Sequence, residues 1–402
     1  MVRAVALALF AAALFGFATA PAAAPDPVPP TGAPKTGGFD GRTKEGKARL
    51  LKEFGGSEEG EEAVMLGLSW LTQVQKKDGN WEYDSGHRDD HAAATGMAVL
   101  AFFGAGQTHK EGRYKQTVQA GVDWLVNNIN MSQTRDRGKF KTISNMYSQG
   151  IASLALIEAY GVTRDPKLKA AAQAAVDYIQ KGQGPRGSWG YAAGTDNDTS
   201  IVGWQIQALH AAQLTQDLVV DPKVLERAVA FLKRVSGGGQ LQSTYGYANG
   251  PGQKATSLTA IGLLCRYYVD GWRPETAGVA AGAKGLMDRA VGGTGQGRAQ
   301  IDLYYHYYAT QVVRFYGGEE WKTWNEGPVG TDGTRKGGLP AALLALQVRT
   351  PTNRGSWGPE TDSVNRWIAG GCGRLGTTCM CLLTLEVYYR YAPEPEDKKP
   401  MK

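Results

Sequence analysis

The chain has 402 residues, is 42% hydrophobic and 20% charged, and carries a formal net charge of +6. That length suits two ordinary domains or one large domain built from repeats. The positive residues are scattered, with no long basic run or nucleic-acid motif, which argues against nucleic-acid binding; four cysteines are too few for a disulfide-rich scaffold.

Residues 1–20 read as a signal peptide. Arg3 is the positive end, Val5 to Phe17 the apolar stretch, and Ala18-Thr19-Ala20 a small-x-small cleavage site. The apolar run is short for a membrane span, so the mature chain is expected to be exported, periplasmic or secreted, without a transmembrane domain. Residues 21–60 are rich in Pro, then in Gly and charge, without a sustained apolar pattern; they read as a disordered tether. Residues 61–392 form the expected folded domain, and 393–402 a polar, disordered tail.

Apolar residues then recur at helical spacing in twelve segments: 63–75, 90–103, 118–129, 146–160, 168–180, 199–216, 223–235, 255–269, 279–290, 302–316, 338–348 and 377–391. The odd-numbered segments start roughly 55 residues apart, the signature of stacked helical hairpins. Asp90, Asp198 or Ser200, Thr256 or Ser257, Asp302 and Thr377 are placed to cap the even-numbered helices. Asp165-Pro166 and Asp221-Pro222 open helices five and seven.

Between the members of a pair a local motif repeats: Gln75 … Gly79-Asn80-Trp81, then Gln183 … Gly187-Ser188-Trp189, with weaker copies at Gly138-Lys139-Phe140, Thr244-Tyr245-Gly246-Tyr247 and Arg354-Gly355-Ser356-Trp357. Glycine allows a sharp turn, the large ring seals the end of the hairpin, and the Gln amide can satisfy exposed loop backbone. The last segment, from Thr377, is apolar almost all round. It therefore belongs between neighbours rather than at an open end, so the hairpins are expected to close into a ring. Cys372 and Cys379 flank Gly373-Arg374-Leu375-Gly376, read as a turn able to bring them into a disulfide; the alternative is a pair of buried small hydrophobes. The cysteine spacing lacks the paired knuckles of a structural zinc site, and no metal or cofactor is expected.

The motif aromatic-Leu/Ile … Gln … Gly-x-Trp, as at Tyr178 to Trp189, resembles the prenyltransferase and squalene-oxidase repeats of the terpenoid cyclase/protein prenyltransferase superfamily over about 63–391. The resemblance implies an all-α protein, an α/α toroid of six helical hairpins with inner and outer rings. The helix after each Gly-x-Trp loop would be the inner one, and its N-terminus would face one mouth, bringing Asp90, Asp198 and Asp302 there. Class II cyclases of this superfamily protonate an alkene or epoxide with an Asp in an Asp-x-Asp-Asp-Thr motif. Here the corresponding stretch is Thr195-Asp196-Asn197-Asp198-Thr199, and Asn197 occupies the proton-donor position. An amide cannot serve as that acid. The simpler reading has Asp198 or Ser200 capping a helix while Asp196 shapes the loop. Protein prenyltransferases hold zinc with Asp, Cys and His. His306, in Asp302-Leu303-Tyr304-Tyr305-His306-Tyr307-Tyr308, would match their His, but the companion Asp-x-Cys is not found.

Catalytic candidates are therefore Asp196, Asp198, His306 and Tyr307. Ligand-binding candidates are Asp90, Trp204, Asp302, Tyr304, His306 and Tyr308. Asp302 and His306 are four apart and share a helix face; His87 and His91 flank a second polar cluster without a third metal ligand. Three functions compete: an exported non-catalytic toroid that binds a small molecule or an envelope protein, an isoprenoid or lipid cyclase-like enzyme with a divergent acid, and a carbohydrate-active toroid enzyme. A deep apolar cavity reached by Asp196 would favour lipid chemistry, a shallow polar cleft with His306, Tyr307 and an Arg carbohydrate chemistry, and a filled or narrow centre scaffolding.

Overall fold

A computed structural model describes residues 38–143, 145–196, 198–292, 300–364 and 368–390. The expected signal peptide, the tail and Asn197 lie outside these residues. Six outer helices, α2 (Glu58–Val74), α4 (Lys115–Asn128), α6 (Pro166–Lys181), α8 (Pro222–Arg234), α10 (Ala277–Leu286) and α13 (Leu339–Leu346), alternate with six inner ones. The inner helices are α3 (His91–Gly104), α5 (Met146–Thr163), α7 (Thr199–Thr215), α9 (Ser257–Val269), α11 (Leu303–Tyr316) and α14 (Gly373–Leu385). All twelve predicted segments are present. Three helices are added: α1 (Lys44–Phe54), α12 (Gly318–Glu326) and the short α15 (Val387–Arg390). Strand is limited, among the described residues, to a two-residue antiparallel pair with Ser236 opposite Tyr245.

The ring closes. Inner helices pack in the order α3, α5, α7, α9, α11, α14, and α14 returns to α3; α2 packs on both α13 and α14. Residues 368–385 are apolar and long enough to cross a membrane, but they are 83% buried as part of this inner ring. Burial on all sides explains their composition.

The Gly-x-Trp motif is the joint of the hairpins that carry it, at 79–81, 187–189 and 355–357. Gly79 and Gly187 have φ of +96° and +89°, a region that disfavours side chains. Each also lies against the next outer helix, so that an added Cβ would meet the Ala120 carbonyl oxygen at 2.5 Å and that of Arg227 at 2.2 Å. The indole N–H of Trp81 donates to the Leu71 carbonyl at 2.8 Å, and that of Trp189 to Ile179 at 2.8 Å. The preceding Gln ties the loop to the next repeat: the Gln183 amide donates to the carbonyls of Gly187 (3.0 Å) and Val224 (2.8 Å), and Gln75 does the same to Gly79 and Thr117.

Two expectations are corrected. Residues 38–54 are not a disordered tether. They form a strap across the end of the ring where the inner helices terminate. Phe39 packs so tightly on the C-terminal part of α5 that a Cβ on Gly161 would lie 2.4 Å from its ring. The Arg42 guanidinium is inserted beneath it, donating to Glu158 at 2.8 Å and to the Arg390 carbonyl at 2.9 Å, while Arg390 donates to Glu158 at 3.3 Å. Two or three well-fitted anchors order a segment whose overall pattern is polar. Cys372 and Cys379 are also unbridged; all four cysteines are free and buried. The stretch read as a turn is the first turn of α14. Seven helical steps separate the two cysteines by about 10 Å along the axis, beyond the reach of a disulfide. Thr377 consequently lies inside α14, where its hydroxyl donates to the Gly373 carbonyl at 2.8 Å instead of capping.

A candidate ligand-binding mouth at the inner-helix N-termini

Because outer and inner helices alternate in direction, all six inner helices start at one end of the ring. Asp90 caps α3 by accepting from the Ala93 N–H at 3.4 Å. Asn145 caps α5 (Tyr147 N–H, 2.8 Å), and Asp198 caps α7 (Ser200 N–H, 2.8 Å; Ile201 N–H, 3.3 Å). Thr256 caps α9 (Thr259 N–H, 3.2 Å), and Asp302 caps α11 (Tyr305 N–H, 3.0 Å). No side chain at the start of α14 caps it. Asp84, from the loop after α2, accepts the Leu375 N–H at 3.1 Å instead.

At this end lies a cavity of about 380 Å³, and every inner helix contributes to its wall. Asp90, the cap, and Ala93 come from α3, the cap Asn145 with Tyr147, Ser148 and Ile151 from α5, Ser200 from α7, Ser257 and Leu258 from α9, Tyr304 from α11, and Cys372 from the residue just before α14; Tyr83, His87 and Tyr191 complete the rim. No Lys or Arg is among these. Asp90 is the carboxylate on the wall, and it accepts from the Ser148 hydroxyl.

The floor is a pair of tyrosines. Tyr147 and Tyr304 sit on α5 and α11, which are three places apart in a ring of six, and their hydroxyls meet at 2.5 Å across its diameter. Burial holds both phenols well above the usual tyrosine range, so both remain protonated donors. Beneath them the centre is filled. Trp204 stacks on Tyr307 with centroids 5.6 Å apart, Tyr308 packs edge-on against Trp204 and Tyr304, and Gln207 accepts from the Tyr307 hydroxyl at 2.9 Å. Burial pushes the Cys372 thiol up to about 12, so it faces the cavity as a neutral thiol.

The predicted site residues divide accordingly. Asp90 and Tyr304 face the cavity. Trp204, Tyr307 and Tyr308 belong to the core below it. His306 points the other way, between the rings: its Nδ1 lies 2.8 Å from the Asp302 carbonyl, Nε2 lies 3.4 Å from the Arg289 carbonyl, and Tyr305 and Trp324 flank the ring. Burial lowers its basicity to about 4, so the imidazole is neutral. Asp302 is a cap that also pairs with Arg289 at 3.2 Å. Asp196 turns away into the Gly-x-Trp loop and accepts from the N–H groups of Arg186 (2.9 Å) and Ser188 (3.0 Å). Asp198 gives one oxygen to its helix and the other to the Tyr247 hydroxyl at 2.7 Å. His91 faces outward toward Asn80 and Trp124, away from His87, and no group of three or more metal-ligating side chains occurs among the described residues.

Sequence reasoning missed Tyr83, Tyr147, Ser148, Tyr191 and Tyr247. The signal for three of them is local: an aromatic two residues after three of the five sealing aromatics, in Trp81-Glu82-Tyr83, Trp189-Gly190-Tyr191 and Tyr245-Gly246-Tyr247.

Comparisons with known proteins place this architecture. No family model matches, and no curated protein matches. Among solved structures, the GH76A α-1,6-mannanase from Salegentibacter sp. HEL1_6 superposes with a TM-score of 0.55 at 11% identity, covering 82% of this chain and 98% of the mannanase. An inactive variant of that enzyme in complex with α-1,6-mannotriose gives 0.52 at 11% identity, over 82% and 99%. A variant of the type II terpene cyclase MstE from Scytonema, in complex with geranylgeranyl dihydroxybenzoate, gives 0.51 at 13% identity, over 85% and 99%. The fold is the α/α toroid of terpene cyclases and mannanases. At these identities the likeness speaks for the fold, and the site has to be read from its own side chains.

Proposed function

We propose that this protein is an exported toroid that binds a neutral carbohydrate in the mouth cavity. The observation that carries the reading is the composition of the wall: tyrosine faces and a ring of hydroxyls around Asp90, with no Lys or Arg among the described lining residues. Tyr147, Ser148, Ser200, Ser257 and Tyr304 offer short donors and acceptors. A pyranose presents alternating hydroxyls and an apolar C–H face, which such a wall matches. An isoprenoid diphosphate would meet Asp90 with no Lys or Arg among the described lining residues to offset it, and Trp204, Tyr307 and Tyr308 fill the space below Tyr147 and Tyr304. Export rests on the pattern of residues 1–20.

The same geometry supports binding rather than hydrolysis. Glycosidases flank the scissile bond with two carboxyl groups about 5–10 Å apart. Asp198 is spent on Ser200, Ile201 and Tyr247, which leaves Asp90 alone on the wall. Titration calorimetry with mannose, glucose and their linear trisaccharides, and with geranylgeranyl diphosphate as the lipid control, tests the reading. Saccharide binding should weaken about tenfold on Tyr304→Phe, the loss of one buried hydrogen bond, and further on Asp90→Asn. Binding of the diphosphate alone, or release of shorter sugars during incubation, would overturn it.

A further inference from the structure

Two exposed tyrosines stand at the mouth, Tyr191 on the cavity rim and Tyr247 beside it. Among the described residues Tyr191 and Tyr247 are the exposed large aromatic side chains, at 57% and 46% exposure. Both sit at the same position of their loops, two residues after a sealing aromatic. In both, the backbone does the structural work. The Tyr191 carbonyl accepts the Met146 N–H at 2.9 Å and so holds the start of α5; the Tyr247 carbonyl accepts the Thr199 N–H at 3.0 Å and holds the start of α7. Thr142 plays the same backbone part for α3, its carbonyl accepting from Ala92 at 3.2 Å, without an aromatic side chain. The joint does not require a tyrosine.

The side chains are nevertheless fixed. The Tyr247 hydroxyl donates to Asp198 Oδ2 at 2.7 Å, and Asp198 is itself buried and locked by its helix cap. Tyr191 neighbours Tyr247 and lines the cavity. Together they make a shelf that leads from the cavity out over the starts of α5 and α7. A tyrosine held at its hydroxyl presents a ring face with little entropy left to lose on binding.

We propose that Tyr191 and Tyr247 form a second saccharide subsite, so that the ligand is a linear oligosaccharide with one end in the cavity and the following ring stacked on the shelf. The inference rests on the carbohydrate reading above. A cavity of about 380 Å³ is near the lower end of ligand pockets, so a chain of several rings must emerge, and the shelf lies where it does.

The test compares mannose and glucose with their linear trisaccharides on the full mature chain, by calorimetry, using Tyr247→Ala and Tyr247→Phe. The trisaccharide should bind about two- to tenfold tighter than its monosaccharide to the native protein, the advantage expected of one aromatic stacking contact. Tyr247→Ala should remove most of that advantage while circular dichroism and the unfolding midpoint stay close to native. Tyr247→Phe should fall between the two, keeping the ring face but losing the hold of the hydroxyl on Asp198. Monosaccharide binding with no trisaccharide advantage, or an advantage that survives Tyr247→Ala, overturns the shelf and leaves the cavity reading standing. If neither class of sugar binds, both fall. A saccharide-independent protein partner lost on Tyr247→Ala would also overturn the subsite.

Discussion

Replacing Glu158 by glutamine should destabilise the toroid by about 3–5 kcal/mol, the cost of breaking a buried ion pair by removing one partner. Glu158 is fully buried in α5 and accepts from Arg42 at 2.8 Å and from Arg390 at 3.3 Å; the side chains of those partners are only 1% and 2% exposed. The amide is nearly isosteric, so packing is preserved and the loss is electrostatic. Two guanidinium groups would remain at the closed end of the ring without their shared counter-ion. Against a total stability on the order of 5–15 kcal/mol, that is a large fraction. Arg42→Met should cost less, because Glu158 keeps Arg390. The assay is urea denaturation followed by circular dichroism, paired with limited proteolysis at 38–54. Glu158→Gln should lower the urea midpoint with the slope unchanged, and should expose the strap to cleavage before the ring. A loss below about 1 kcal/mol, or a strap as resistant as in the native protein, would refute the idea that this cluster anchors residues 38–54.

Stability should also depend on acid pH through His306. Burial puts its folded value at about 4 against 6.5 in the unfolded chain, so the contribution is complete above about 6.5 and is lost as the pH falls toward 4. The loss is about 3 kcal/mol, and urea midpoints at pH 7 and pH 4.5 in native protein and His306→Phe measure it. Glu386 acts in the opposite sense. Both of its oxygens are buried without a hydrogen-bond partner, and burial holds the carboxyl far above its ordinary range, so its contribution is present below about 4.5 and is lost as the pH rises. Glu386→Met should raise stability at pH 7 by about 1–3 kcal/mol, read from the same midpoints. Gly187→Ala should cost about 3 kcal/mol, since it combines φ of +89° with a Cβ 2.2 Å from the Arg227 carbonyl oxygen; thermal unfolding checks it.

Much of the architecture was legible along the chain. Hairpin boundaries follow from the Gly-x-Trp joints, whose hydrogen bonds run mostly within one hairpin or to the next. Asp90, Asp198, Thr256 and Asp302 could be recognised as caps because capping is local, within three residues of the carboxylate or hydroxyl. That local role also accounts for the absent catalysis-like motif around Asp196 and Asp198, which are committed to the loop and to the helix start. Thr377 was misplaced because α14 begins four residues earlier, at Gly373, with its cap supplied from a distant loop by Asp84.

What the sequence by itself determined was therefore the segmentation into hairpins and the polar starts of the even-numbered helices; that those helices form an inner ring opening on one mouth followed from the resemblance to the toroid superfamily. Only the tertiary structure decided which side of each inner helix faces the axis. These helices are buried on all sides, so they carry no amphipathic stripe that would separate Tyr304, on the cavity floor, from His306, two residues on and turned between the rings. The strap was hidden for the opposite reason. Its order depends on a few anchors, Phe39 and Arg42 above all, whose partners Gly161, Glu158 and Arg390 lie more than a hundred residues away and meet it only once the ring has closed.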